Sequence, residues 1–261
     1  MTSISEKRKT GRRAKKPLDP KNRASDIFQV ESLSAIQDFL KHRPKMIERI
    51  CVKEKAFTKA LDLFPEHQDK LCQVHDLEGA FPIWAEVKLI ARAEVLFLDE
   101  VKNRQHDLVL MLDHVKDPRN LGAIARSAAF FGVKEIIVPK DRQVGFSAAS
   151  VATSQAAFAF LELVLVTNLS RIIEKLKKAG YWIVGADMDG VSIEEVAPTY
   201  DKVVLVMGSE EKGLSHQIRN KCDLFVGIEG CKNGPQSLNV SVAGGVLLRG
   251  FYFSQKSKIS G

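Results

Sequence analysis

Residues 108–131 read LVLMLDHVKDPRNLGAIARSAAFF. The five apolar residues Leu108 to Leu112 do not alternate with polar ones, the pattern of a strand whose parallel sheet is covered on both faces. Charge and Pro118 then interrupt the run, and Leu121, Ile124, Ala125, Ala128 and Phe131 return at helical spacing. A buried strand, a polar loop and an amphipathic helix form the first half of a βαβ unit. The same strand type recurs at Glu135 to Val138, Tyr181 to Val184, Val203 to Met207 and Leu224 to Ile228, with Leu161 to Val166 as a further candidate. Between the later strands, Leu169 to Ala179 is an amphipathic helix closed by Gly180 at its C-terminal cap. An α/β domain on a parallel sheet is predicted over residues 107–256.

Working toward the N-terminus, Lys102 to His106 reads as a linker. Before it, residues 25–100 form a smaller α/β unit. Leu33, Ile36, Phe39 and Leu40 share one helical face that Pro44 ends, and a strand at Ile47 to Val52, a helix at Thr58 to Phe64 and a strand at Leu71 to His75 follow. Residues 1–24 differ in kind. Lys7, Arg8, Lys9, Arg12, Arg13, Lys15, Lys16, Lys21 and Arg23 oppose only Glu6 and Asp19, which accounts for the whole formal net charge of +7. With almost no apolar residue, this basic tail cannot repay the entropy of ordering and is expected to be disordered in isolation. Contact with a polyanion and simple solubilisation are both open readings of it.

Composition removes several function classes. No apolar run is long enough to cross a bilayer, and the basic N-terminus lacks the apolar core of a secretory signal, so a cytoplasmic protein without a membrane partner is expected. Cys51, Cys72, Cys222 and Cys231 contain no CxxC pair and are spaced too irregularly for a zinc site, so no metal is expected. Neither GxGxxG nor GxxxxGK[ST] occurs, which takes support from nicotinamide and nucleoside-triphosphate chemistry.

Ligands of open parallel sheets bind at the carboxyl ends of the strands, so the loops there carry the chemistry. The first is Asp113 to Ser127, where Asn120 stands in the place of a helix N-cap and Arg126 lies off the buried stripe. Taken alone, these are a cap and a solvated arginine. The second, Met207-Gly208-Ser209-Glu210-Glu211-Lys212-Gly213-Leu214, has two glycines that permit tight turning and close approach of backbone to a ligand. The third, Ile228 to Leu247, is a glycine- and proline-rich loop entering a helix at Ser237, Leu238 and Asn239. Gly244 and Gly245 inside that helix suggest another backbone packed against it.

Together the segments DPxNLGAIxRSA, a strand followed by GSExxG, and SLNVSVAxG resemble the three motifs of the SpoU or TrmH family of RNA ribose 2′-O-methyltransferases, in the SPOUT superfamily. The resemblance covers about residues 107–254, while residues 26–97 more loosely resemble the L30e-like RNA-binding domain that precedes many such enzymes. It implies a trefoil-knotted SPOUT domain, S-adenosylmethionine as methyl donor, RNA as substrate and a homodimer with active sites near its interface. It further implies that Asn120, Arg126, Glu210, Ser237 and Asn239 form the catalytic set. Met207, Gly208, Gly213, Ile228, Ser237 and Leu238 would contact the cofactor. One departure is visible. Where the family carries IPM, this chain reads Ile228-Glu229-Gly230, with one extra residue before Ser237.

A ribose hydroxyl is a weak nucleophile at neutral pH, whereas a sulfonium is already a good leaving group, so activation falls on the hydroxyl. Guanidinium stays charged, which favours Arg126 as a stabiliser of the developing alkoxide that also grips a neighbouring phosphate. Asn120 and Glu210 would orient Arg126 or the ribose, and Ser237 and Asn239 the hydroxyl and the third loop. The competing reading is an RNA-binding or ribosome-associated protein that keeps the fold without methylating; the complete set of five side chains argues against it. The L30e-like resemblance leans toward ribosomal over transfer RNA.

Overall fold

A computed structural model of the chain describes residues 27–75, 81–140, 147–231 and 233–259. The basic tail lies outside the described residues.

The first unit comprises β1 (Ile27–Val30), α1 (Leu33–His42), β2 (Ile47–Lys53), α2 (Phe57–Leu63), β3 (Leu71–Val74) and β4 (Ile83–Lys88). Its four strands lie in the order β1-β4-β2-β3; β2 and β3 are parallel, and the other pairs antiparallel. Ser32 caps α1, which buries Ala35, Ile36, Phe39 and Leu40. The sequence signals found α1, β2, α2 and β3 but missed β1 and β4. In β4 the buried Glu86 interrupts an otherwise apolar strand, and its charge is met by two hydrogen bonds from Arg49, at 2.8 and 2.9 Å.

The second unit adds β5 (Ala91–Arg92), α3 (Glu94–Val101), β6 (Asp107–Leu112), α4 (Pro118–Phe130), β7 (Glu135–Pro139), α5 (Ala148–Ser154), α6 (Ala157–Phe160) and β8 (Glu162–Val166). It continues with α7 (Leu169–Lys178), β9 (Trp182–Ser192), α8 (Ile193–Val196), β10 (Lys202–Met207), α9 (His216–Arg219), β11 (Leu224–Gly227) and α10 (Val240–Ile259). Seven strands, all parallel, lie in the order β11-β9-β10-β6-β7-β8-β5. Every residue of β6 is buried, as its unalternating apolar run requires. β5 and α3, which the sequence placed with the first unit, belong to this one: β5 pairs with β8, and Phe97, Leu98 and Val101 of α3 enter the core beneath the sheet.

Helices cover both faces. On one, α4, α5, α6 and α10 bury Leu121, Ile124, Val151, Phe158, Leu248 and Phe251, and this cluster continues into Phe28 and Phe39 of the first unit. On the other, α3, α7 and α9 bury Phe97, Ile172, Leu176 and Ile218. From β6 the chain runs outward through β7 and β8, then returns past β6 to build β10 and β9 on its other side. This reversal makes the carboxyl end of β6 a topological switch point, the place where open α/β sheets hold ligands.

Candidate active site

Three loops meet near that end: residues 113–117 after β6, 208–215 after β10 and 228–239 before α10. Asp117, not Asn120, is the N-cap of α4; its side chain accepts from the Arg119 amide at 2.8 Å. Pro118 fixes the first helical position, since its missing N–H costs nothing there, and this pushes the cap one residue before it. Asn120 is thereby left in the first turn with its side chain available for other contacts.

Those contacts join the loops. Asn120 Nδ2 donates to Glu210 Oε1 at 2.6 Å, and Asn239 Nδ2 donates to Asn120 Oδ1 at 3.2 Å. Asn239 also starts α10, its Oδ1 accepting from the amide and hydroxyl of Ser241 at 2.8 and 2.7 Å and its carbonyl from the Ala243 amide at 2.9 Å. One asparagine both caps a helix and closes the bridge.

The second loop is folded back on itself. Ser209 and Gly213 exchange backbone hydrogen bonds of 3.0 and 2.9 Å, with Gly213 at φ +62°. A Cβ on Gly208 would stand 2.1 Å from the Gly213 carbonyl carbon, so both glycines are needed by the loop itself. The small residues of α10 serve a different end from the one expected. A Cβ on Gly244 would meet Met207 Sδ at 3.0 Å, on Gly245 Ser127 Oγ at 3.4 Å and on Gly250 Ile193 Cγ1 at 2.4 Å. The close neighbours are side chains of the same chain, not another backbone.

The structure therefore brings Asn120, Glu210 and Asn239 together and leaves Arg126 and Ser237 outside their network. Arg126 is exposed, and among the described residues it makes no hydrogen bond or ion pair. It shares a face of α4 with Phe130, one turn on, which is 81% exposed. Ser237 and Leu238 are exposed on the third loop, and Ile228 is half-buried where that loop leaves β11.

Sequence reasoning missed Asp113. It is fully buried, accepts from the Ser215 amide at 2.7 Å through Oδ2 and holds Nδ1 of His114 through Oδ1, which fastens the first loop to the second. Its signal was an acid placed directly after an all-apolar strand.

The surface of the second and third loops suits S-adenosylmethionine. Gly213 and Gly230 have open space where a Cβ would stand, and the half-buried Ile228 and exposed Leu238 add apolar surface of the kind an adenine ring lies against. Among the described residues, no group of three metal-ligating side chains occurs.

Residues 107–249 match the SpoU rRNA Methylase family. A relative from Coxiella burnetii, the 23S rRNA (guanosine-2'-O-)-methyltransferase RlmB, is 42% identical over 86% of this chain and 94% of its own. The chain belongs to the SpoU rRNA methylase family. The RlmB of Pseudomonas putida is 32% identical over 86% of this chain and 95% of its own. In fold, the chain resembles the SpoU methyltransferase AviRb of Streptomyces viridochromogenes, solved with AdoMet, with a TM-score of 0.75 and 24% identity over 90% of this chain and 92% of that one. As a SpoU family member, the protein is an S-adenosylmethionine-dependent RNA ribose 2′-O-methyltransferase, which the three motifs implied.

Proposed function

We propose that the protein methylates the 2′-hydroxyl of a guanosine in 23S rRNA, in the cytoplasm, and that Asn120, Arg126, Glu210, Ser237 and Asn239 carry the reaction. The observation that carries this reading is the side-chain bridge Glu210–Asn120–Asn239, which ties one residue from each of the three motifs into a single polar cluster at the sheet's carboxyl end. The 42% identical RlmB relative supports the ribosomal target over transfer RNA.

The donor supplies an electrophilic methyl on a positively charged sulfur, so the protein's task is to place and activate the ribose oxygen. Met207, Gly208, Gly213, Ile228, Ser237 and Leu238 hold the donor. Glu210, accepting from Asn120, keeps that amide oriented toward Asn239 and fixes the relative position of the loops. Ser237 donates to or accepts from the hydroxyl, and Arg126 stabilises the alkoxide as its proton leaves to water. Holding oxygen and methyl in line supplies much of the acceleration.

Arg126 does not join the bridge within one chain, and a second copy supplies the missing geometry. The shared face of α4 and α10 exposes Phe130, Val242, Val246 and Phe253, with Phe130, Phe131, Tyr252 and Phe253 linked by ring contacts of 5.2 to 5.8 Å. An apolar surface of this extent fits an interface, and a homodimer across it would place Arg126 beside the partner's loops. Sedimentation at micromolar concentration is expected to show a dimer that Phe130→Glu dissociates.

The first unit is read as an L30e-like RNA-binding domain, its mixed four-stranded sheet and flanking helices supporting the resemblance. A trefoil-knotted path is inferred likewise, supported by the chain's passage from the outer strand β11 back across the sheet to α4. Mapping ribose methylation in 23S rRNA from cells with and without the protein tests the function. One guanosine site is expected to disappear; an unchanged 23S pattern with a lost transfer-RNA site would overturn the ribosomal assignment.

A further inference from the structure

On the face of the sheet opposite α4 and α10, a cleft of about 200 Å³ opens between the start of α7, the end of β6 and the loop after β10. Asp113, His114, Thr167, Asn168, Ser170 and Gln217 are among its walls. Asn168 caps α7 by accepting from the Arg171 amide at 3.0 Å, which leaves the amides of Leu169 and Ser170 with no partner among the described residues. Ser170 is 7% exposed, and its hydroxyl too has no hydrogen-bond partner there. Buried hydroxyls are nearly always paired, so this one points to an absent acceptor.

The walls define that acceptor's chemistry. Both oxygens of Asp113 are engaged, one by Ser215 and one by His114, so the cleft presents no open carboxylate. Arg171, the residue after Ser170 in α7, is exposed and has no ion pair among the described residues. Two free amides at a ten-residue helix's N-terminus and a buried hydroxyl among the cleft walls, with an exposed arginine next in the chain, together suit an anionic group with several oxygens. The cleft also shares its loops with the active site. Asp113 and His114 of the loop after β6 and Ser215 of the loop after β10 are cleft walls, the same two loops carry Glu210 and lead into Asn120, and the Asp113–Ser215 bond joins them.

We propose that this cleft is a phosphate subsite that holds the RNA backbone a short distance from the methylated ribose, an assignment that rests on the RNA-methylating reading above. The substrate strand then crosses the carboxyl edge of the sheet from the motif loops to the start of α7.

The test is the double variant Ser170→Ala, Arg171→Ala in the full chain, measured for binding to a 23S rRNA fragment across a salt series. Neither change removes a side-chain hydrogen bond or ion pair among the described residues. Losing one phosphate contact should weaken binding about fivefold at about 0.1 M salt and lower the log–log slope by about 0.7 to 0.9. Donor affinity and kcat at saturating RNA should stay unchanged. Inorganic phosphate should shift the Leu169 and Ser170 amide resonances of the unaltered protein. A phosphate response with unchanged RNA affinity would assign the cleft to a free phosphate ester and overturn the backbone role. No change in either would overturn the site. Wild-type protein that binds RNA with these properties but transfers no methyl would count against the enzymatic reading and leave this one standing.

Discussion

The two ends of the seven-stranded sheet are built on opposite rules. At the amino end, Asp107, Glu135 and Glu162 start three adjacent strands and are met by Arg43, Arg92 and Arg104. Arg104 reaches Glu135 at 2.6 Å, Asp107 at 2.9 Å and Glu100 at 2.6 Å, while Arg92 holds Glu135 at 3.2 Å and Glu162 at 2.7 Å. Tyr181 donates to Asp107, and burial first, then that carboxylate, pushes its hydroxyl far above the ordinary tyrosine range. At the carboxyl end, of the five motif side chains Asn120 is half-buried and the other four are exposed; three are bridged by single hydrogen bonds and two lie outside the bridge. The amino end spends its charges on one another and fixes the architecture. The carboxyl end keeps its groups available to a substrate.

The strongest way to break the contrast is at the amino end. Glu135 is 1% exposed and serves two arginines, so Glu135→Ala leaves both partly unpaired and is expected to cost about 3 to 5 kcal/mol of stability. Chemical denaturation measures it. A loss below about 1 kcal/mol would mean that water replaces the carboxylate freely and that the network is no more than a surface feature.

At the other end the effects should reverse. Arg126→Ala is expected to leave the melting temperature and donor affinity nearly unchanged while methyl transfer falls about a hundredfold, the scale for losing one preorganised donor to a developing oxyanion. Arg126→Lys should recover only part, because lysine keeps the charge and loses the planar fork. Full activity in the alanine variant on the true RNA would remove Arg126 from the mechanism.

The smallest effect sharpens the amino end. Glu100 is held down to about 2 by hydrogen bonds from Arg104 and then Arg92. A carboxylate depressed in the folded state contributes stability above its unfolded value of 4.5 and loses it as pH falls toward about 2. Glu100 is half exposed, so solvent screening keeps the contribution modest. Melting curves of wild type and Glu100→Gln should converge between those pH values, the variant showing the shallower acid loss. Parallel curves would show that the pairing adds nothing.

Much of the second unit was legible because its signals are local. Unalternating runs such as Leu108 to Leu112 mark buried parallel strands, and Gly180, at φ +85°, closes α7 where its position said it would. The three motif loops were legible for the same reason, their glycines and asparagines standing at sharp changes of pattern. What stayed hidden depends on distant partners. β5 is two residues long and exists through pairing with β8, 72 residues later in the chain, and β4 is interrupted by a glutamate that its pairing with Arg49 helps make tolerable. Asn120 was misplaced as a cap because the cap and the bridging role use the same residue types, and only Pro118 and Asp117 together decide between them. That Arg126 stands apart from Glu210 and Asn239 is likewise invisible to spacing along one helix.

The two-residue strand β5 also has a consequence for biosynthesis. Ala91 and Arg92 leave the ribosome long before Leu163 and Val164, the residues they pair with. The sheet's outer edge is thus made early and must wait, solvated, for an inner neighbour translated later, so the order of emergence is not the order of assembly. A methylase module that begins at residue 107 would lack this edge, together with α3, Arg92 and Arg104.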